Sequence, residues 1–153
     1  MKPGRNPVLH VLDIGCGRGQ DISKWRLARV AYMLANDFSP ECINKYEERW
    51  QQAHHPYRLQ TSTIDFTSLE FYSKIEHSFY DMVSAQFCFH YMFGTEEGLH
   101  SGLGTILSNL LLKGVFIATI PDSYTILKKI NTLGKTQSDG SKVYGNKFFS
   151  IRF

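Results

Sequence analysis

The sequence has few cysteines and no long apolar run, and both absences narrow the class of protein. Only three of its 153 residues are cysteine, at positions 16, 42 and 88. An odd number at wide spacing argues against a disulfide framework and favours a reducing compartment. No apolar stretch approaches the roughly 18 residues of a membrane-spanning helix. The first seven residues are charged without an apolar stretch, so we expect no secretory signal there.

Residue patterns typical of metal sites and of covalent catalysis are missing too. The sequence has no Cys-x-x-Cys pair and no cysteine and histidine ladder that would indicate zinc, so we expect no metal site. A surface loop explains the adjacent His54 and His55 better than a metal site does. No Ser/His/Asp or Cys/His arrangement is evident, which argues against a hydrolase.

The composition is that of an ordinary soluble globular protein, with 42% hydrophobic and 20% charged residues. The length allows one sizeable core, so we expect a single domain over residues 1–153. The formal net charge of +3 is compatible with an anionic partner without demonstrating one. We expect a soluble intracellular protein.

Short apolar runs alternate with helical patterns, which predicts an α/β fold with a mainly parallel sheet and helices on both faces. The predicted strands cover residues 8–14, 31–36, 57–64, 80–86, 115–120 and 147–153, and the strand at 115–120 is expected to be buried. The predicted helices cover residues 20–30, 40–52, 69–76, 96–112 and 123–133, and a polar loop is predicted over 134–144. Apolar side chains at helical spacing are the predicted core positions: Ile22, Trp25, Leu27, Ile43, Tyr46, Trp50, Leu99, Leu103, Ile106, Leu107 and Leu110.

The first predicted strand runs into a glycine-rich segment, VLDIGCGRG at 11–19. Its glycines, Gly15, Gly17 and Gly19, have the spacing G-x-G-x-G instead of the G-x-G-x-x-G of nicotinamide enzymes. Glycine permits positive φ and a close approach of backbone to ligand. The segment therefore predicts a cofactor loop; the alternative is a tight turn without a ligand.

Acidic side chains follow the next two predicted strands, where a parallel sheet forms its ligand crevice. Asp37 lies 18 residues after Gly19 and can accept hydrogen bonds from both hydroxyls of a ribose. Asp65 can accept one from an adenine amino group. Carboxylates around a nucleotide site repel phosphates, and the loop lacks the Gly-Lys-Ser/Thr of a P-loop. This pattern favours the sulfonium and ammonium groups of S-adenosylmethionine over NAD or ATP.

Several segments together resemble the messenger-RNA cap (guanine-N7) methyltransferase family. They are VLDIGCGRGQDISKW, DFSPECINKYEERW, AQFCFHYMF, FIATIPDSYTI and GNKFFSIRF. The most specific is QFCFHY at 86–91, since most class I methyltransferases share the glycine loop. The resemblance implies a Rossmann-like class I fold without the family's flanking segments, and methyl transfer from S-adenosylmethionine to guanine N7 of the GpppN cap. Capped RNA, other capping proteins and a nuclear location are implied as well.

The resemblance also assigns roles to single residues. Those implied to bind the cofactor are Asp13, Gly15, Gly17, Asp21, Asp37, Asp65, Gln86 and Tyr91. Those implied to bind the cap are Arg18, Arg49, Phe87, His90, Tyr91, Pro121 and Phe153. No catalytic base is expected, because guanine N7 carries a free lone pair at neutral pH.

Other interpretations of these residues stay open at this point. Arg49 is either a cap ligand or a solvated side chain on a charged helix, and His90 either contacts guanine or is structural. Only one of Phe87 and Phe89 is expected to lie in a pocket. Cys88 is expected to be an ordinary small apolar residue. The alternative functions are a class I methyltransferase with another small-molecule or protein acceptor, and a non-catalytic cofactor- or RNA-binding module.

Overall fold

The computed structural model describes residues 8–75 and 79–153. They belong to two compact units, Met1–Ile120 and Pro121–Phe153. The expectation of no secretory signal in residues 1–7 and the predicted end of the third helix at Glu76 lie outside the described residues. Within those ranges, no helix is long and apolar enough to cross a membrane.

The first unit is built on five strands: β1 (Leu9–Ile14), β2 (Val30–Asn36), β3 (Arg58–Ser62), β4 (Tyr80–Gln86) and β5 (Leu110–Thr119). All neighbouring pairs are parallel, in the spatial order β3-β2-β1-β4-β5, which confirms the predicted parallel sheet. Chain order reverses at β1, since β2 lies on one side of it and β4 on the other. The carboxyl ends of β1 and β4 therefore border the crevice in which open α/β sheets bind ligands.

Helices cover both faces of this sheet, as predicted. They are α1 (Ile22–Leu27), α2 (Pro40–Gln52), α3 (Leu69–Lys74) and α4 (Glu96–Asn109), with a short 3-10 helix at Phe89–Gly94. Successive residues of β1 point to opposite faces. Val11 packs in one buried cluster with Ile22 and Tyr46, and Leu12 packs in the other with Phe71. Burial on both faces explains why the inner strands are almost continuously apolar.

A side-chain cap and a proline mark the start of α2. The Ser39 hydroxyl accepts a hydrogen bond from the backbone N–H of Cys42, and Pro40 occupies the first helical position. Buried Ile43 and Tyr46 then fix the helix against the sheet. This anchoring places the turn that carries Asp37 at the carboxyl end of β2.

Several predicted core positions on the helices are wrong. Leu27, Leu103 and Leu107 are exposed, with 79% of the Leu27 side chain in solvent. The buried face of α4 instead carries mostly small or polar residues: Gly98, Ser101, Gly102, Thr105, Ile106 and Asn109. The helix before α4 lies too close for large side chains, because a Cβ on Gly102 would lie 2.8 Å from Met92 Cε.

The boundary between α4 and β5 also differs from the prediction. The helix ends at Asn109, and residues 110–112, predicted as helix, begin the strand. The predicted burial of β5 is wrong as well, since Leu112 is 95% exposed and Val115 is 49% exposed. In the described structure β5 is an edge strand with β4 as its only neighbour, and Phe116 packs against the core while Val115 and Ile117 do not.

The second unit begins with α5 (Ser123–Leu133), as predicted. A small antiparallel sheet follows, formed by β6 (Lys135–Thr136), β7 (Lys142–Gly145) and β8 (Ser150–Arg152). The predicted polar loop at 134–144 is therefore wrong in part, because it contains β6 and starts β7. β6 and β7 are short and contain no fully buried residue, so they lack the alternation that identifies a strand in a sequence. The last predicted strand is present but shorter.

Candidate active site

A cleft of about 500 Å³ opens at the carboxyl ends of the strands in the first unit. Its walls come from the segments that follow β1, β2, β3 and β4. The residues that line it are Gly15, Asn36, Asp37, Phe38, Asp65, Phe66, Thr67, Gln86, Phe87, Cys88 and Tyr91. Six residues singled out in the sequence therefore lie together: Gly15, Asp37, Asp65, Gln86, Phe87 and Tyr91.

The glycine loop is tied to the end of β2. The backbone N–H of Gly17 donates a hydrogen bond to Asp37 Oδ2 at 2.9 Å, and Asp37 Oδ1 accepts one from the N–H of Ser39. Gly15 and Gly17 have φ of 66° and 55°, in the left-handed region that favours glycine. A carboxylate has about four acceptor sites. Asp37 therefore orders the loop and still has lone pairs for a ligand hydroxyl.

Asp65 is oriented by its own loop. Its Oδ1 accepts hydrogen bonds from the backbone N–H and the hydroxyl of Thr67, at 2.9 and 2.8 Å. Both bonds go to the same oxygen, and the side chain is exposed at the cleft. The carboxylate is thus held in place with acceptor capacity remaining.

Asp13 lies below the cleft lining and is almost completely buried. Burial raises its pKa to about 7, an effect opposed by hydrogen bonds from Ser84 and Trp25 and strengthened by the charge of Asp21. Trp25 Nε1 donates to Asp13 Oδ2 at 3.3 Å. A carboxyl group that changes charge near neutral pH therefore lies under the glycine loop.

Gln86 lines the cleft at the end of β4, and its side chain is held by the neighbouring strand. Its Oε1 accepts a hydrogen bond from the Thr119 hydroxyl, and its Nε2 donates to the Ile117 carbonyl at 3.4 Å. The amide therefore has a defined orientation in the absence of a ligand.

Two aromatic side chains line the cleft next to Gln86. Phe87 and Tyr91 are 65% and 69% exposed, which is unusual for large aromatic residues. Phe87 has a positive φ of 57°, and its N–H donates to the Thr119 carbonyl at 2.9 Å. A bulky residue in this conformation is strained, and such strain occurs preferentially at functional sites. Phe89 packs against the core instead, so only one of the two phenylalanines lines the cleft, as predicted.

His90 is not part of the cleft lining, although it contacts a residue that is. Its ring lies 4.4 Å from the Tyr91 ring, between centroids. Its Nδ1 is buried and has no hydrogen-bond partner among the described residues. An unpaired buried nitrogen is costly, so this position favours a hydrogen-bonding ligand or a bound water.

The basic residues Arg18 and Arg49 lie outside the cleft lining. Arg18 forms an ion pair with Glu41 at 2.5 Å, and Arg49 donates to the Arg18 carbonyl oxygen at 2.8 Å. Arg49 also lines a second groove, of about 430 Å³, beside Arg26. Asp21 does not line the cleft either, because it precedes α1 and pairs with Lys24.

Pro121 and Phe153 belong to the second unit. Both are exposed there. Their predicted contact with a nucleotide stays a prediction.

Five residues of the lining were not predicted from the sequence to belong to the site. They are Asn36, Phe38, Phe66, Thr67 and Cys88. Four of them are one or two positions from Asp37 or Asp65, so the strand-end pattern that identified the aspartates could have identified them too. Asn36 has a structural role, since its amide donates to the carbonyls of Ser62 and Ile64 and holds the end of β3.

Cys88 has the environment of the small apolar residue that was expected at this position, and not that of a nucleophile. Its thiol donates to the Ile14 carbonyl at 3.1 Å, and burial raises its pKa to about 12. All three cysteines are free. Within residues 8–75 and 79–153, no group of three potential metal ligands comes together.

The family model of the mRNA (guanine-N(7))-methyltransferase domain matches residues 1–153. The chain belongs to this family. It is 34% identical to the mRNA cap guanine-N(7) methyltransferase of Schizosaccharomyces pombe over 149 residues, which is 96% of this chain. It is also 34% identical to the mRNA cap guanine-N(7) methyltransferase of Caenorhabditis briggsae, over 91% of this chain. The chain spans 40% and 38% of the lengths of these two relatives.

The fold of this guanine-N7 methyltransferase family member is also found among solved structures. An S-adenosylmethionine-dependent methyltransferase from Clostridium acetobutylicum matches with a TM-score of 0.67 at 16% identity. The match covers 94% of this chain and 63% of that one. Identity this low shows the fold alone, and it confirms the predicted Rossmann-like methyltransferase architecture.

Proposed function

We propose that this chain is the catalytic core of an mRNA cap guanine-N7 methyltransferase, which transfers a methyl group from S-adenosylmethionine to N7 of GpppN-ended RNA. The proposal is based on the residues that line the cleft at the carboxyl ends of the strands. Acidic side chains at the ends of β2 and β3 share it with the exposed rings of Phe87 and Tyr91 at the end of β4. A cofactor site and an acceptor site therefore adjoin.

The residues of the cleft fit S-adenosylmethionine. Its volume of about 500 Å³ lies within the roughly 300–1,000 Å³ of small-molecule sites. We assign the ribose hydroxyls to Asp37 and the adenine amino group to Asp65, because both carboxylates are oriented and keep free lone pairs. Gly15 would bring its backbone, without a side chain, close to the ligand. Gln86 in the lining and the buried Asp13 below it are assigned to the cationic end of the cofactor. When bound, the cofactor supplies an electrophilic methyl group on a sulfonium sulfur.

The residues that bind the acceptor have to position the guanine base, and they do not have to act as a general acid or base. Because N7 has a free lone pair, no side chain has to remove a proton, which fits the lack of an assigned catalytic base. Orientation alone contributes about 7–11 kcal/mol in favourable cases. We assign Phe87 and Tyr91 to the faces of the base, since aromatic rings stack on nucleobases. His90 Nδ1, which is buried and has no hydrogen-bond partner among the described residues, is assigned to the edge of the base.

The cap phosphates are assigned to Arg18 and Arg49. Arg18 is paired with Glu41 on the surface, an interaction of little net strength that a phosphate can replace. The guanidinium also suits bidentate phosphate binding. On the basis of the resemblance, Pro121 and Phe153 are also assigned to nucleotide binding. A nuclear location and contact with other capping proteins follow from the same function.

The test is transfer of labelled methyl from S-adenosylmethionine to GpppA, using a full-length protein that contains this core. Methylation at N7 supports the proposal. A folded protein that binds S-adenosylhomocysteine but neither binds GpppG nor methylates GpppA contradicts it and favours another acceptor. Cofactor binding without turnover on any acceptor would indicate a non-catalytic module.

A further inference from the structure

Positive charge is concentrated in the second unit, Pro121–Phe153. Six of its 33 residues are Lys or Arg and two are Asp, which gives a formal net charge of +4. Met1–Ile120 has 11 Lys and Arg against 12 Asp and Glu, a net charge of −1. The basic character of the whole chain therefore comes from this small unit.

Most of this charge is not neutralised within the unit. Asp139 pairs with Arg152, and Asp122 caps α5 by accepting from the N–H and hydroxyl of Thr125. Lys135 and Lys147 are exposed, and neither forms an ion pair among the described residues. Unpaired surface cations at this density are the electrostatic feature of a nucleic-acid-binding surface.

Aromatic rings accompany these lysines in the turn between β7 and β8. Asn146 Oδ1 accepts hydrogen bonds from the N–H groups of Phe148 and Phe149, and the Asn146 N–H donates to the Phe149 carbonyl at 2.8 Å. The turn is thus fixed by its own hydrogen bonds, and its side chains are free to project. Phe148 is 82% exposed, and Lys147 Nζ lies 4.8 Å from the centre of its ring.

A groove of about 390 Å³ adjoins this turn. It is lined by Lys135, Tyr144 and Phe149, among others, and the two aromatic rings lie 6.0 Å apart. Stacking faces next to lysines are what proteins use to bind single-stranded nucleic acid, where the rings stack on bases and the cations contact phosphates.

We propose that Lys135, Lys147, Phe148 and Phe149 form a binding surface for a single-stranded segment of the RNA that carries the cap. The choice of RNA over another polyanion rests on the proposed function and on the aromatic groove. An anionic membrane would attract the lysines but would give no role to a groove between two rings.

The test measures binding of an uncapped single-stranded RNA of roughly 12 nucleotides to the intact chain by fluorescence anisotropy. Lys135→Glu/Lys147→Glu is expected to weaken binding about tenfold and to reduce the salt slope by about 1.4, at about 0.7 for each phosphate contact. The control, Lys45→Glu/Lys74→Glu, changes the net charge equally in the first unit and should leave the affinity within about twofold. Equal weakening by both double variants would overturn the proposal.

A second pair of variants tests the aromatic contribution. Phe148→Ser is expected to reduce RNA affinity about tenfold, since stacking on one base contributes on the order of a tenfold effect or more. Tyr124→Ser removes another exposed ring of the same unit, on α5, and should have no effect. If phosphatidylserine vesicles bind while RNA does not, or if Phe148→Ser leaves RNA binding unchanged, the proposal is wrong.

The RNA-binding surface and the proposed methyltransferase function can be tested separately, because different results contradict each of them. GpppA has no RNA chain, so its methylation should be unchanged in Lys135→Glu/Lys147→Glu. Loss of RNA binding with normal methylation of GpppA supports the surface. A chain that methylates nothing but binds uncapped RNA through these residues would contradict the proposed function alone.

Discussion

The carboxylate of Asp37 holds the backbone of Gly17, through a 2.9 Å hydrogen bond from the Gly17 N–H to Oδ2. The same side chain accepts from Ser39 N–H at the start of α2. One residue therefore fixes the glycine loop relative to the end of β2, and it does so in the cleft assigned to the cofactor. Its removal should affect ligand binding more than the fold.

Asp37→Ala tests this double role. Hydrogen bonds to a charged group contribute about 1.5–3 kcal/mol each, so loss of the ribose contacts should weaken S-adenosylhomocysteine binding at least about tenfold. Isothermal titration calorimetry measures the effect. Glu48→Ala, which removes a surface carboxylate paired with Lys45, is the control and should bind normally. Equal affinity for Asp37→Ala and the unsubstituted chain would rule out this assignment.

Gly15 and Gly17 should respond differently to alanine, although both have positive φ. A Cβ on Gly15 would lie 2.6 Å from Cys88 Sγ, whereas the nearest atom to one on Gly17 is at an ordinary 3.5 Å. Gly17→Ala should cost only about 1–2 kcal/mol of backbone strain. Gly15→Ala should cost more and also disturb the cleft. Urea unfolding compares the two, and equal losses would contradict the geometry.

The strand ends were easier to predict from the sequence than the edges of the fold. Asp37, Asp65 and Gln86 line one cleft, because a parallel sheet brings all its carboxyl strand ends to one edge. Their roles in ligand binding stay predictions. The exposure of Val115 was not predictable in this way. Apolar composition identifies a strand but does not say whether it is central or at the edge.

The ion pair of Arg18 with Glu41 was also beyond the sequence. These residues are 23 positions apart, and their contact depends on how α2 docks beside the glycine loop. Likewise, the burial of Gly102 in place of a leucine on α4 depends on the close approach of Met92. Periodicity alone could not predict such tertiary contacts.

Asp13 makes a pH-dependent contribution to stability whose sign is fixed by its raised pKa. The folded pKa is about 7 against an ordinary value of 3.8, so the folded state binds this proton more tightly than the unfolded state does. The contribution of Asp13 to the free energy of unfolding is therefore fully present below about pH 4, and it is lost as the pH rises to about 7. At about 1.4 kcal/mol per pH unit, the total loss is on the order of 4 kcal/mol.

Asp13→Asn isolates this effect because asparagine has a similar shape and no ionisation. The difference in unfolding free energy between the variant and the unsubstituted chain should shift in favour of the variant between pH 5 and pH 8. Chemical denaturation at both pH values measures it. Glu47→Gln, which replaces a half-buried carboxylate that accepts a hydrogen bond from Thr61, is the control and should show a much smaller shift. A pH-independent difference for Asp13→Asn would contradict the raised pKa.

Phe87→Gly should weaken acceptor binding without lowering the stability of the fold. The positive φ of Phe87 costs an aromatic residue about 1–2 kcal/mol, and glycine removes that strain while adding about 0.5–1 kcal/mol of unfolded-state entropy. The variant should therefore keep its unfolding free energy or gain up to about 1.5 kcal/mol. Its affinity for GpppG should fall roughly tenfold or more, because a stacking ring is lost.

Arg29→Gly is the matched control for this substitution. Arg29 also has a positive φ, 60°, and is exposed, but it follows α1 and does not line the cleft. Its replacement should have the same small effect on stability and none on GpppG affinity, as measured by thermal unfolding and by titration of the cap analogue. If Phe87→Gly destabilises the chain while GpppG affinity is retained, then the strained conformation of Phe87 serves the fold and the ring does not contact the cap.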